Sequence, residues 1–384
     1  MYSRYNYTSG ATQAQIVADI VAILTGTTST ASLSSGCDTT NSFINTTYNA
    51  AGWSLYDQAG YSHGTATISI ASPAVVTKAS HTIPIGYPVQ FTTTGALPTG
   101  LSANTIYYCS SDSYAAGTFR LAPTFADAIA GTNSINTSGT QSGTHTLWSG
   151  YVQVLRAAVY DGGGVDGYIY AGLDSKTTSA QINMVLYEQW NNTTHTATNA
   201  CTVTTGAQAR YTVGTAASVI LCSSSNYMFM QSNTAAGVGG SATNECTLIA
   251  QHNRVAPWDT VAAGYPNSVS LFASTSNFSG GTGYKPRLKA PTGSDVTNSI
   301  VAIANSQPPQ YKVPDGLGGF YFPLTDLQIA STSNSFLPVS ISSVCDVWNS
   351  LAYPTNLDEI TANGKTYVLL AVYSSTAMLA FPKG

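Results

Sequence analysis

Short strand-like runs recur about every ten residues through the middle of this chain, and that rhythm restricts its fold more than any other feature. Residues 209–214, 218–222 and 226–231 form three such runs, and Glu245–Gln251 forms a fourth. The clearest run is Gln181–Glu188. It puts Ile182, Met184, Leu186 and Glu188 on one side and Gln181, Asn183, Val185 and Tyr187 on the other. A side-chain period of two is the signature of a strand. Tyr151–Ala157 and Tyr168–Leu173 precede it, separated by the turn-forming Gly162-Gly163-Gly164, and Trp190-Asn-Asn opens a polar loop after it. Earlier, Trp53–Asp57 alternates in the same style, and a further strand is expected at Thr67–Ile70. Many short strands joined by many turns predict an antiparallel, mainly β, sandwich-like architecture.

Composition agrees and narrows the class of partner. Only 8% of the 384 residues are charged, and the net charge is -4. Ordinary soluble domains carry about 25% charged residues. With 43% hydrophobic residues the chain is not of the disordered type. A surface so poor in charge suits burial in an assembly, where each charge would need a partner. The 13 basic residues form no cluster, which argues against nucleic acid. No apolar run reaches the roughly 18 residues of a membrane helix. The apolar stretch Ile16–Leu24 is broken by Asp19 and preceded only by Arg4, unlike a secretory signal, so synthesis in a cytoplasm is expected. The six cysteines contain no close pair, the nearest being Cys201 and Cys222. Free buried thiols are therefore expected, with later oxidation to disulfides as the alternative.

Two terminal elements stand out. Thr12-Gln-Ala-Gln15 fits a capping box, and Ile16, Val17, Ile20, Val21 and Leu24 follow at helical spacing up to Gly26. This predicts an amphipathic helix over 12–25. Its stripe of Ile16, Ile20 and Leu24 either packs on its own domain, the ordinary outcome, or forms a partner contact. At the other end, Asn363-Gly364 lies between the strand-like runs Ile360–Ala362 and Lys365–Val372, a strong hairpin signal. Between them, residues 275–325 are rich in Gly and Pro, and alternating Lys285, Arg287 and Lys289 predict a solvated edge strand.

Residues 74–148 read as a small β module inserted between similar flanking strands. Val75–Thr77, Val89–Thr92, Ile106–Cys109, Thr118–Leu121 and His145–Trp148 are strand-like, and Thr124–Ala130 before Gly131 predicts one short helix. The run Pro88–Leu101, with Tyr107-Tyr108, Thr118-Phe119-Arg120-Leu121-Ala122 and Gly139–Leu147, resembles a small module that recurs in virion proteins of tailed bacteriophages. Short motifs around Trp53–Asp57, Val154–Ala157, Leu186–Trp190, Arg254–Thr260 and Gly264–Pro266 resemble such proteins too. The expected domains are a discontinuous β domain of 1–66 plus 149–270, the inserted module over 67–148, and a loop-rich C-terminal β region over 271–384. The resemblance implies a structural part of a tailed-phage virion, made in the host cytoplasm. Its place would be the tail, baseplate or a neck appendage, in several copies, with itself and other virion proteins as partners. A receptor-binding adhesin contacting host glycan or protein is the alternative, and a glycan depolymerase a third reading.

Catalytic and metal chemistry is thinly signalled. The five histidines show no metal-ligand spacing. Asp161-Gly-Gly-Gly-Val-Asp166-Gly167 is read as a turn rather than a calcium loop, because it lacks the alternating acids of an EF-hand. Asn363-Gly-Lys-Thr366 lacks the leading Gly of a phosphate loop. Asp358-Glu359 is the only adjacent acid pair, and neighbours on a strand point apart. A non-enzyme without cofactor or metal is therefore expected. Rigid aromatics amid Ser, Gly and Asn suit binding of polar surfaces, which makes Tyr107, Tyr108, Tyr114 and Trp148 candidate contact residues.

Overall fold

A computed structural model describes residues 2–7, 13–26, 52–158, 166–175, 182–201, 217–224, 227–233 and 245–251, and beyond these chiefly strands up to residue 383. The described residues are mainly β, with several antiparallel sheets and two helices.

In chain order the elements that matter here are β1 (Tyr2–Tyr7), α1 (Gln13–Leu24), β2 (Trp53–Asp57), β3 (Tyr61–Ile68), β4 (Val76–Thr77), β5 (Pro88–Thr93), β6 (Tyr107–Cys109), β7 (Thr118–Phe119) and β8 (Leu121–Ala122). There follow α2 (Phe125–Ala130), β9 (His145–Ser149), β10 (Val152–Ala158), β11 (Tyr168–Asp174), β12 (Asn183–Asn191), β13 (Thr196–Cys201), β14 (Ala217–Ser224), β15 (Tyr227–Asn233) and β16 (Glu245–Gln251).

Two sheets face each other across the main core. One runs β13-β12-β11-β10-β2. The other begins β1-β14-β15-β16 and continues into the C-terminal strands. Helix α1 fills the space between them. Its Ile16, Val17, Ile20, Val21, Ile23 and Leu24 are buried together with Trp53, Leu155, Leu173, Met184, Leu221 and Met230 from the two sheets. The stripe Ile16, Ile20 and Leu24 thus packs on the chain itself. Asp19, the break in the apolar run, is buried and accepts a hydrogen bond from Tyr7 of β1 at 3.2 Å. Trp53 ties the sheets by donating its Nε1–H to the Ser224 carbonyl at 3.0 Å. Thr12, the expected cap, lies outside the described residues.

Strand β12 explains why a clean alternation need not mean one wet face. Ile182, Met184 and Leu186 enter the main core, while Val185, Tyr187 and Trp190 enter a second cluster with Val152, Val154 and Tyr170. Both faces are covered. The polar loop expected from Trp190 starts later, because Trp190 and Asn191 still pair with Ala197 and Thr196 of β13. The buried Trp190 ring holds the strand, and Asn191 looks loop-like only because it sits at the exposed end. Strand β1 also escaped sequence reading, since Ser3, Arg4 and Asn6 interrupt its tyrosines. The expected strand 209–214 lies outside the described residues.

The inserted segment forms a seven-stranded sheet in the order β7-β4-β3-β9-β5-β6-β8. Its core includes Val76, Ile83, Val89, Phe91, Phe119, Leu121 and Leu147, and Ala14 of α1 packs into it. Helix α2 is capped as its sequence predicts. Thr124 Oγ1 accepts from Asp127 N–H at 3.1 Å, and Gly131 adopts φ 67°, which a side chain would strain. The expected strand 67–70 starts earlier, at Tyr61, and Ile70 lies beyond its end, 47% exposed. Tyr61–Ile68 buries only the small Ala66 and Ile68, so its periodicity is faint. At the C-terminus, Glu359–Ala362 pairs with Lys365–Ala371, with Ala362 opposite Lys365 and Gly364 at φ 74°. This is the expected two-residue hairpin. The side chains of Lys285, Arg287 and Lys289 lie outside the described residues.

Candidate functional site

The chain crosses between scaffold and module twice, and the crossings lie side by side. Strand β2 ends at Asp57, where its pairing with β10 shifts register between Val154 and Leu155. Asp57 Oδ1 accepts from Ala59 N–H at 3.0 Å, turning the chain, and Gly60 N–H donates to the Val152 carbonyl at 3.0 Å. On the return, Gly150 N–H donates to the Pro88 carbonyl at 2.8 Å. A methyl group on Gly150 would lie 2.4 Å from Pro88 Cγ and 2.8 Å from the Gln58 carbonyl oxygen, so only glycine fits the crossing.

Beside the crossings sits a buried polar network. Asp57 Oδ2 accepts from Trp190 Nε1–H at 2.7 Å and from His195 Nδ1 at 2.6 Å. In the neutral ring, donation from Nδ1 leaves His195 Nε2 as an acceptor, and it faces the side-chain amide nitrogen of Gln90 on β5. Trp148 of β9 packs its ring 4.4 Å from the His195 ring and donates Nε1–H to Thr92 Oγ1 at 3.0 Å. His195 comes from the turn between β12 and β13 and has φ 53°, left-handed backbone that a histidine seldom adopts. That turn is braced by Asn191 Oδ1, which accepts from Thr193 N–H at 2.9 Å and Thr194 N–H at 3.0 Å. Three buried scaffold residues thus meet buried Gln90 and half-buried Thr92 and Trp148 of the module in one cluster. In a catalytic Asp–His pair Nε2 faces the reacting group. Here it faces Gln90, so the pair acts as a latch.

Two cavities flank the latch and share Leu55 and Gln58 in their walls. The larger, about 640 Å³, is mainly apolar and lies between α1 (Ala18, Val21), β2 (Trp53) and the module (Pro88, Tyr108, Phe125). The smaller, about 390 Å³, is lined by Tyr56, Asp57, Gln90, Asn104, Ile106, Asn192 and Thr193.

The four expected contact aromatics do not share one surface. Tyr107 is buried and its hydroxyl accepts from Ser102 N–H at 2.9 Å. Tyr108, the next residue on the strand, points the other way into the apolar cavity, near Phe125, and burial pushes its hydroxyl pKa up. Tyr114 is 37% exposed and donates to the Ile83 carbonyl at 2.8 Å. Trp148 belongs to the latch. Of the other candidates, Asp166 spends Oδ1 on Tyr168 N–H at 3.1 Å and Oδ2 on the Tyr170 hydroxyl at 2.5 Å, and Asp161 lies outside the described residues. Glu359 pairs with Lys383 at 2.6 Å.

Sequence reading missed the latch as a set. Asp57 and His195 are far apart in the chain and match no local motif. The one signal was chemical: an acid closing an otherwise apolar strand in a chain with only 17 acids needs a partner.

No protein-family model matches this chain, and no curated protein is significantly similar to it.

Proposed function

We propose that the chain is a structural component of a tailed-phage particle, in the tail, baseplate or a neck appendage, present in several copies and held by contacts with itself and other virion proteins. The observation that carries this reading is the way the module is attached. The segment bearing the phage-like motifs forms its own sheet and core, and is then fixed to the scaffold by two tight crossings and a buried latch. A module meant to move would hang on a flexible linker. One clamped through Asp57, Trp190 and His195 keeps a fixed direction, which a subunit repeated through a particle requires. Sparse charge fits the same reading, because subunit interfaces exclude unpaired charge at their centres.

The test is particle composition. Particles of the phage that encodes the chain, purified by density gradient, are digested and quantified by mass spectrometry. The chain is expected at several copies per particle, and antibodies raised against it should decorate one fixed position in electron micrographs. Its absence from purified particles would overturn the proposal.

A further inference from the structure

We infer that the smaller cavity, at the seam between module and scaffold, binds a neutral saccharide. Its volume of about 390 Å³ falls within the range of small-molecule sites, near the lower end. Its walls are dominated by carboxamides: Gln58, Gln90, Asn104 and Asn192 all line it. Each amide offers both donors and an acceptor, which matches the mixed donor and acceptor character of sugar hydroxyls. Thr193 adds a hydroxyl, and Leu55 and Ile106 supply an apolar wall for the C–H face of a ring. Among the described residues no Lys or Arg lines the cavity, and both oxygens of Asp57 are taken by Ala59, Trp190 and His195. The site therefore has neither a free cation for an anionic ligand nor a free carboxylate for a cationic one.

The latch gives this cavity a fixed polar group. Asp57 sets the tautomer of His195, and His195 then takes the amide nitrogen of Gln90. Gln90 is only 5% exposed, and among the described residues its side-chain carbonyl oxygen accepts no hydrogen bond yet is not sealed from solvent. An acceptor that lines the cavity and is held in one orientation is a ready partner for a ligand hydroxyl. The side-chain amides of exposed Asn104 and Asn192 likewise make no hydrogen bond among the described residues. One comes from the module and the other from the scaffold, so a bound ring would bridge the two.

The inference stands independently of the virion reading, since the site's chemistry does not depend on where the chain resides. The experiment is saturation-transfer NMR on the whole protein with four neutral probes at millimolar concentration: the methyl glycosides of glucose, galactose, mannose and N-acetylglucosamine. At least one is expected to receive saturation. Asn104→Gly, which removes the amide without straining the left-handed backbone at φ 57°, and Asn192→Ala should each weaken that probe about tenfold with little change in melting temperature, because both side chains are exposed. Tyr114→Ala, at an exposed aromatic outside the cavity, should leave binding intact. No transfer to any of the four probes would overturn the assignment. So would binding that survives both Asn substitutions together, or that is lost with Tyr114→Ala.

Discussion

His195 donates its Nδ1 proton to Asp57 across 2.6 Å, although 138 residues separate the two in the chain. Asp57 also accepts from Trp190 and from the Ala59 backbone, so one carboxylate serves three donors. Removing it strands all three in a buried place. Asp57→Ala is expected to lower stability by several kcal/mol, about 1–3 kcal/mol for each buried donor left unsatisfied. Asp57→Asn keeps one acceptor oxygen and should lose less. Urea denaturation of the three proteins at neutral pH checks the order. Equal midpoints would show that the network contributes nothing to holding the fold.

Gly150→Ala addresses the crossing rather than the latch. The added methyl would meet Pro88 and the Gln58 backbone, neither of which is a flexible side-chain end. A loss of about 1–3 kcal/mol is expected from the forced backbone shift. Gly117→Ala is the control, since nothing lies within 4 Å of a methyl there. Thermal melts of both variants decide it, and an unchanged Gly150→Ala protein would mean that the crossing has room to give.

These two sites show what sequence could and could not reveal. Helix α2 was legible because its cap, its length and its terminal Gly131 are adjacent in the chain. The C-terminal hairpin was legible for the same reason. The scaffold's alternation at Met184–Tyr187 revealed a strand but not that both faces are covered, because burial of the second face depends on Trp190, Tyr170 and Val154 arriving from elsewhere. The latch was legible only as Asp57's need for a partner, not as a set. Gln90, Asp57 and His195 become neighbours only once two sheets are docked. Tyr107 and Tyr108 were singled out together, yet consecutive strand residues face opposite ways, and that part was predictable from the pleat alone.

Cys109 and Cys222 are free and fully buried, and burial pushes both thiol pKa values up. Thiolate is the reactive form, so iodoacetamide at about pH 8 should leave both unmodified in the native protein and alkylate both after denaturation. Peptide mass spectrometry reads each site separately. Rapid native alkylation of Cys222 would show that β14 opens readily. The side chains of the other four cysteines, expected to be thiols, lie outside the described residues.

Ile20 is fully buried between the two scaffold sheets. Ile20→Asp would bury a carboxylate in the apolar core between the sheets, one residue from the already buried Asp19. A loss of about 4 kcal/mol or more and insoluble protein are expected. Circular dichroism melts of any soluble fraction check this. A folded Ile20→Asp protein that fails only to enter particles would show that the stripe contacts a partner after all.

The module needs β3. In its sheet, β3 lies between β4 and β9, and so joins the β7-β4 pair to β9-β5-β6-β8. Cross-strand pairs Thr67–Thr77 and Ile68–Val76 hold one side, and Tyr61–Ser149 through Ala66–His145 hold the other. An excised segment 74–148 lacks β3. It should split into a two-strand ribbon and a four-strand remnant, and lose Ala66 and Ile68 from the core. Two-stranded ribbons are marginal in water. A segment 60–151 keeps β3 and also Tyr151, whose hydroxyl donates to the Thr82 carbonyl and whose ring lies 5.1 Å from that of Tyr87. It should give a dispersed amide NMR spectrum while 74–148 gives a collapsed one. The longer segment is still small for an independent core, so a low melting temperature is expected even when it folds. Equal dispersion from both would show that β3 is dispensable. Collapse of both would show that the module depends on the scaffold's Asp57, Trp190 and His195 not only for its direction but for its fold.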